Sequence, residues 1–342
     1  MRPWLVPLAA LLLAACDTGA PRPALLDSRP PPGLAPRFLP PEGWAWGAIQ
    51  PSEGPALRYG VATPVGAARR AQVLILPDSQ ESAEVWFETA RALTQAGYVV
   101  WTLEWAGFGG SGRAAAPHDM IHAGQAGTAP EAVIALVSQV IRPDPDRPLS
   151  LMASGDAAAV ALTALSDDLP VGSLILSAPD LSGGPALTLW ERLATRAGLG
   201  RLPSPDWRPW SKTASAAAIS AEADPWRAKV AHSWRVANPD LRQSGESLGW
   251  RVQRQQMAAS AHPPAAVRRP HLILAGKAVG LASSEACIAA EGCQAVIAPA
   301  LTSAPHLARE AERSLWLRSI ADFLSQQIPP AAPERQNPGA IE

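Results

Sequence analysis

The chain has 342 residues, long enough for one large domain or two small ones. Hydrophobic residues make up 47% and charged residues 17%, the latter below the roughly 25% usual in soluble proteins, so material for a core is ample. With 29 basic side chains against 30 acidic ones the net charge is −1, which offers no basic face to a nucleic acid and excludes that partner.

Residues 1–16 read as a processing segment rather than as part of the fold. Arg2 supplies the positive start, and Leu5 to Leu13 form an apolar stretch too short to span a bilayer comfortably. Leu13-Ala14-Ala15-Cys16 resembles a bacterial lipobox. That resemblance implies lipidation of Cys16 and attachment to a membrane of the cell envelope on its periplasmic face; Asp17 resembles an inner-membrane retention signal. Residues 17–42 hold eight prolines and read as an extended tether, and 329–342 read as a disordered tail, which leaves 43–328 for the folded domain. The remaining cysteines, Cys287 and Cys293, read either as a disulfide in an oxidising compartment or as two small buried thiols.

Strand signals alternate with helix signals, which predicts an α/β fold with a mostly parallel central sheet and helices on both faces. The expected strands are Leu57–Thr63, Gln72–Leu76, Val99–Glu104, Leu149–Met152, Ser173–Ser177, His271–Ala275 and Ala295–Ala298. Most are apolar runs without alternation, as strands buried on both faces should be. Helices are expected over Ser82–Ala96, where Val85, Thr89, Leu93 and Ala96 share a stripe and Gly97 is the stop, and over Pro130–Ile141, Ala157–Leu165 and Leu307–Leu324. Residues 181–262 break the rhythm and read as a helical cap insertion, carrying six of the 13 tryptophans. Those tryptophans read mostly as the core of the cap, the alternative being the lining of an acyl pocket.

Several phrases in order resemble the α/β-hydrolases of the lysophospholipase and monoacylglycerol lipase group, the serine aminopeptidase S33 type. They are Gly43-Trp44-Ala45-Trp46-Gly47 at an opening strand, Trp105-Ala106-Gly107-Phe108-Gly109-Gly110-Ser111-Gly112 after the fourth strand, and Leu176-Ser177-Ala178-Pro179. Asn238-Pro239-Asp240-Leu241 with Gly249-Trp250, and His306 with Glu310, complete the series. The resemblance covers about residues 44–327. It implies the α/β-hydrolase fold, no cofactor, and a nucleophile on a sharp strand-to-helix elbow with a histidine base, an orienting acid and backbone donors for the oxyanion.

Matching the elbow without a gap puts Gly155 at the nucleophile position, with Ala153, Ala157 and Ala158 as its small neighbours. The hydroxyl is lost there. Two shifted registers are the alternatives: Ser154 as nucleophile, flanked by Met152 and Asp156, or Asp156 as nucleophile, which resembles the aspartate elbow of epoxide hydrolases and haloalkane dehalogenases. The oxyanion loop reads Leu76-Pro77-Asp78-Ser79, so two carboxylates, Asp78 and Asp156, would face a developing negative charge. No carboxylate stands in Gly276-Lys277-Ala278-Val279, where the acid belongs; Asp180 is either its substitute or a turn residue. His306 is the retained base position.

Two other readings are set aside. Gly107, Gly109 and Gly112 match G-x-G-x-x-G, but loop residues follow and no ribose-binding acid does. His118 and His122 have metal-ligand spacing in what reads as a loop, and a cation among Asp78, Asp156, Asp180 and His306 rests on placement alone, so no metal is expected. The leading functional expectation is a membrane-anchored protein that binds an acyl-lipid ligand or a protein partner without turning it over. The alternative is an active ester or lysophospholipid hydrolase using Ser154, or an Asp156-nucleophile hydrolase, with His306 as base.

Overall fold

A computed structural model describes residues 21–328 apart from 53, 66–69, 114–116, 123–127, 166–168, 220–224, 277–291 and 298–309. The apolar runs become strands β1 (Ala45–Ile49), β2 (Leu57–Ala62), β3 (Ala71–Leu76), β4 (Tyr98–Leu103), β5 (Leu149–Ser154), β6 (Ser173–Ser177), β7 (His271–Ala275) and β8 (Cys293–Ile297). They form one eight-stranded sheet in the order β1-β2-β4-β3-β5-β6-β7-β8. The pairs β1–β2 and β2–β4 are antiparallel, and every other pair is parallel. Each expected strand lies within two residues of an observed one.

Alternation along the central strands divides the core between two faces. Leu74 and Leu76 of β3, Leu149, Leu151 and Ala153 of β5, and Leu174 and Leu176 of β6 pack on one side. That side is covered by α2 (Thr128–Ala135) and α3 (Ala157–Ala164). Val73, Ile75, Met152, Ile175, Leu272 and Leu274 face the other side, under α1 (Phe87–Gln95) and α8 (Glu310–Gln326). Every residue of β3, β5, β6 and β7 is buried, which is why these strands read as unbroken apolar runs.

The expected helix Ser82–Ala96 begins as a 3-10 turn over Ala83–Trp86 before α1. It stops at Gly97, whose φ of +92° is one that glycine adopts without strain. Beyond α2 the chain continues in π geometry through Leu136–Ile141. Between β6 and β7, residues 181–262 contain α4 (Leu189–Ala194), α5 (Lys212–Ile219), α6 (Pro225–Ala237) and α7 (Leu248–Ser260). Among the six tryptophans there, only Trp234 and Trp250 are core; Trp190 and Trp226 are 63% and 71% exposed, and Trp207 and Trp210 are half-buried. The expectation that most of them are core is therefore corrected.

The proline-rich segment also differs from expectation. Residues 21–42 are laid along the domain rather than hanging free. Arg22 exchanges backbone hydrogen bonds with Arg113, the Leu25 N–H reaches the Gly110 carbonyl, and Arg29 and Asn238 exchange two more. Phe38 is 5% exposed and packs with Phe87 and Trp234 in the core. Proline keeps this stretch extended, and its apolar side chains still find a surface to bury.

A buried ionic cluster fixes the glycine-rich loop after β4. Arg58 donates to Glu104 at 2.6 and 2.9 Å and to Glu84 at 2.8 and 3.0 Å, all three side chains being buried. Glu104 also accepts the N–H groups of Ala83 and Gly110. A Cβ on Gly109, at φ +47°, would collide with the Glu104 carboxylate, so the loop's glycines make room for this cluster. Among the described residues no helix is long and apolar enough to cross a membrane.

Candidate functional site

Parallel pairing brings the carboxyl ends of β3, β5 and β6 level, with Leu76 beside Ala153 and Ser154 beside Ser177. The loops that follow these strands converge there, as ligand-binding loops do in such sheets. Gly155 joins β5 to α3 with a φ of +55°. Its N–H donates to the Ser177 carbonyl at 3.1 Å, and its own carbonyl accepts from Ala158 and Asp180. Ala153, Ala157 and Ala158 around it are fully buried, so the turn has the tight packing of a nucleophile elbow with glycine at its tip.

Ser154 is the last residue of β5, fully buried, and its Oγ has no hydrogen-bond partner among the described residues. It lies below the tip of the turn.

Asp78 fills the space above Gly155. A Cβ on Gly155 would overlap the Asp78 Oδ2 and stand 2.8 Å from its Cγ. That Oδ2 accepts the Asp156 N–H at 3.1 Å, while Asp156 Oδ1 accepts the Ser79 N–H at 2.9 Å. In this fold the oxyanion donors are the N–H after the nucleophile and one from the loop after β3. The N–H groups of Asp156 and Ser79 stand at the corresponding places, and each donates to a carboxyl group of the opposite loop.

Glu81 joins the cluster, its Oε2 accepting the Asp78 N–H at 3.2 Å and the Trp86 indole N–H at 2.9 Å. Burial and the neighbouring Asp78 hold Asp156 and Glu81 well above the usual carboxylate range. Asp78 itself is raised by burial, against hydrogen bonds from Gln80 and Asp156. Carboxyl groups this close cannot all ionise, so the cluster keeps protons that isolated carboxyls would lose.

Asp180 sits half-buried after β6, where its Oδ1 accepts Ser182 N–H and Oγ at 2.9 and 2.6 Å, a turn-closing arrangement. His306, Cys287, Cys16 and residues 277–279 lie outside the described residues. Cys293 is disulfide-bonded. His118 and His122 lie on a turn and its flank rather than on a helix, and His122 Nδ1 pairs with Ser247 Oγ at 2.9 Å. Among the described residues no group of three His, Cys, Asp or Glu side chains is placed to hold a metal.

Beside the carboxyl cluster is a cavity of about 330 Å³, whose charged and amide lining comprises Gln80 on the β3 loop and Asp206, Arg235, Gln243, Glu246, Arg251 and Arg254 from the insertion. None of the insertion's six tryptophans lines it among the described residues. Sequence reasoning missed these polar residues. No motif marks them, because most come from α6, α7 and the chain between.

A family model described as serine aminopeptidase, S33, matches residues 67–286. No curated protein matches the chain significantly. Among solved structures, a soluble variant of monoglyceride lipase from Saccharomyces cerevisiae, in complex with a substrate analog, superposes with a TM-score of 0.62 at 13% identity, covering 88% of this chain and 100% of that one. A thermostable carboxyl esterase from Bacillus coagulans, in complex with glycerol, gives 0.59 at 14% identity over 84% of this chain and 99% of that one. A hydrolase from Pseudomonas aeruginosa gives 0.55 at 16% identity over 82% and 98%. At these identities the likeness is one of fold.

Proposed function

The chain belongs to the serine aminopeptidase S33 family of α/β-hydrolase-fold proteins, and from that premise we propose that it is a member that binds without catalysing, tethered to the envelope membrane by a lipid on Cys16. The observation that carries the reading is the Asp78 carboxylate over Gly155, together with the two internal acceptors on the oxyanion donors. Loss of a nucleophile from a triad costs on the order of a million-fold in turnover. A carboxylate in the oxyanion site opposes the charge that acyl transfer develops.

The two rescue registers gain little support. Ser154 Oγ is buried below the turn, and Asp156 is committed to Ser79 and held toward its protonated form, which is not nucleophilic. The binding partner implied by the resemblance is an acyl lipid or a protein. The polar lining of the cavity favours a polar ligand over an acyl chain. The resemblance of Leu13-Ala14-Ala15-Cys16 to a lipobox and of Asp17 to a retention signal supports a position on the periplasmic face, with the inner membrane slightly favoured.

The test is turnover of lysophospholipids and p-nitrophenyl acyl esters by residues 17–342, wild type against His306→Ala. The expected result is no turnover above the His306→Ala background. Turnover abolished by the substitution would make the protein an enzyme with His306 as base and overturn this reading.

A further inference from the structure

Helix α4 presents the inverse of the usual amphipathic arrangement. Its one acid, Glu191, is turned inward: it is buried, closes a capping box with Thr188 and pairs with Arg251 of α7 at 2.5 Å. Leu189, Trp190 and Leu193 face outward instead, between 50% and 73% exposed. Leu189 and Leu193 are one turn apart with Trp190 beside them, so the three form one apolar stripe. A surface helix normally buries such a stripe and leaves its carboxylate in water.

Alongside the stripe runs a groove of about 490 Å³ between α4 and α7. Arg192, Thr195 and Arg196 stand on one wall, and Val252, Gln255 and Gln256 on the other. No carboxylate lines it among the described residues. Arg192 and Arg196 are exposed and make no ion pair among the described residues. From Pro185 to Gly200 they are the only exposed charges, because Glu191 is spent on Arg251. The groove is separate from the cavity beside the carboxyl cluster, which takes Arg251 and Arg254 from the other flank of α7.

We propose that this groove seats the phosphate of an anionic phospholipid at a bilayer surface, held by Arg192 and Arg196, with Leu189, Trp190 and Leu193 inserted among the acyl chains beside it. Guanidinium groups match phosphate oxygens in charge and in geometry. Tryptophan belongs at the boundary between headgroups and hydrocarbon, and leucine on the hydrocarbon side of it. Basic side chains next to an exposed apolar stripe are the pairing that an anionic membrane surface attracts. A soluble phosphate would answer the arginines and leave the stripe in water, and an apolar protein face would answer the stripe and leave the arginines uncompensated. The contact is independent of a lipid on Cys16 and of whether any ester is turned over.

The experiment is sedimentation of residues 17–342, which carry no acyl chain, with vesicles of phosphatidylglycerol and phosphatidylcholine in equal parts and with vesicles of phosphatidylcholine alone. Binding to the anionic vesicles is expected, with binding to the neutral ones at least roughly tenfold weaker. Arg192→Gln combined with Arg196→Gln should weaken the first by roughly tenfold or more, and Arg192→Lys with Arg196→Lys by much less. Trp190→Ser combined with Leu193→Ser should also cost roughly tenfold. All four side chains are exposed, so these variants should fold as the wild type does, which their unfolding midpoints check. No binding to anionic vesicles, equal binding to both kinds, or glutamine variants that bind as the wild type does overturns the proposal. Saturable binding of inorganic phosphate or glycerol 3-phosphate with the same arginine dependence would assign the groove to a soluble phosphate and overturn it too. So would a dimer in sedimentation velocity that the two serine substitutions dissolve, since the face would then belong to a second copy. Neither turnover nor lipidation enters these measurements, so their failure would leave the non-catalytic reading and the anchor at Cys16 as they stand.

Discussion

Asp78 and Asp156 stand 78 residues apart in sequence and hold each other's loops: Oδ2 of Asp78 accepts the Asp156 N–H at 3.1 Å, and Oδ1 of Asp156 accepts the Ser79 N–H at 2.9 Å. The exchange ties the loop after β3 to the turn after β5. It also puts the Asp78 side chain where a side chain on residue 155 would project, so the two compete for one space.

Restoring a serine alone should therefore fail. Gly155→Ser is expected to destabilise the fold by about 2–4 kcal/mol, through a side chain at positive φ and its overlap with Asp78. Adding Asp78→Gly should recover part of that loss, with a coupling of about 1 kcal/mol or more in a urea double-mutant cycle. Strictly additive costs would show that the two side chains do not compete for the same space.

The raised carboxyls give stability a pH slope of known sign. Asp156 and Glu81 keep protons in the folded state that the unfolded chain releases at the ordinary carboxylate pKa of about 4. Their contribution is intact below that pH and is lost as pH rises through the folded-state values. Asp156→Asn keeps the acceptor for Ser79 and removes one titration. The difference in melting temperature, variant minus wild type, should grow as pH is raised from 4 to 8; a constant difference would refute the assignment.

The Arg58 cluster predicts a large loss from a small change. Glu104→Ala removes two charged bonds to Arg58 and the acceptor for Ala83 and Gly110. About 3–5 kcal/mol of stability should go in chemical denaturation, because a buried guanidinium is left half-paired. A loss below about 1 kcal/mol would mean that the cluster is hydrated in solution.

Phe38 tests the packing of the proline-rich segment. Phe38→Ala should cost about 3 kcal/mol, the value of a buried aromatic in a core, whereas Leu26→Ala, at a site 48% exposed, should stay within about 0.5 kcal/mol. Equal and small effects would return the segment to the status of a loose tether.

Much of the fold was legible because buried parallel strands leave an unbroken apolar signature, as Ser173–Ser177 and His271–Ala275 do. The smallness of Ala153, Ala157 and Ala158 has a packing reason as well, since all three are fully buried around the tight turn at Gly155. The carboxyl exchange was not legible, because a contact between loops 78 residues apart leaves no periodicity to read. Composition likewise said that residues 21–42 are extended but not that Phe38 is buried. Trp190 and Trp226 misled for a related reason: a large aromatic residue favours burial, and nothing local records which side of a helix finds a partner.

The docked N-terminal segment changes what a lipid on Cys16 would mean mechanically. The chain is already fastened at Arg22, which exchanges backbone hydrogen bonds with Arg113 and an ion pair with Asp240 at 2.9 Å. Only residues 17–21 separate Cys16 from that fastening, a reach of at most about 22 Å. With a lipid on Cys16, so short a leash would act as an orienting strut. It would hold the Asn238–Leu241 end of the insertion near the headgroups and make the cavity's solute supply the thin layer of water along the membrane.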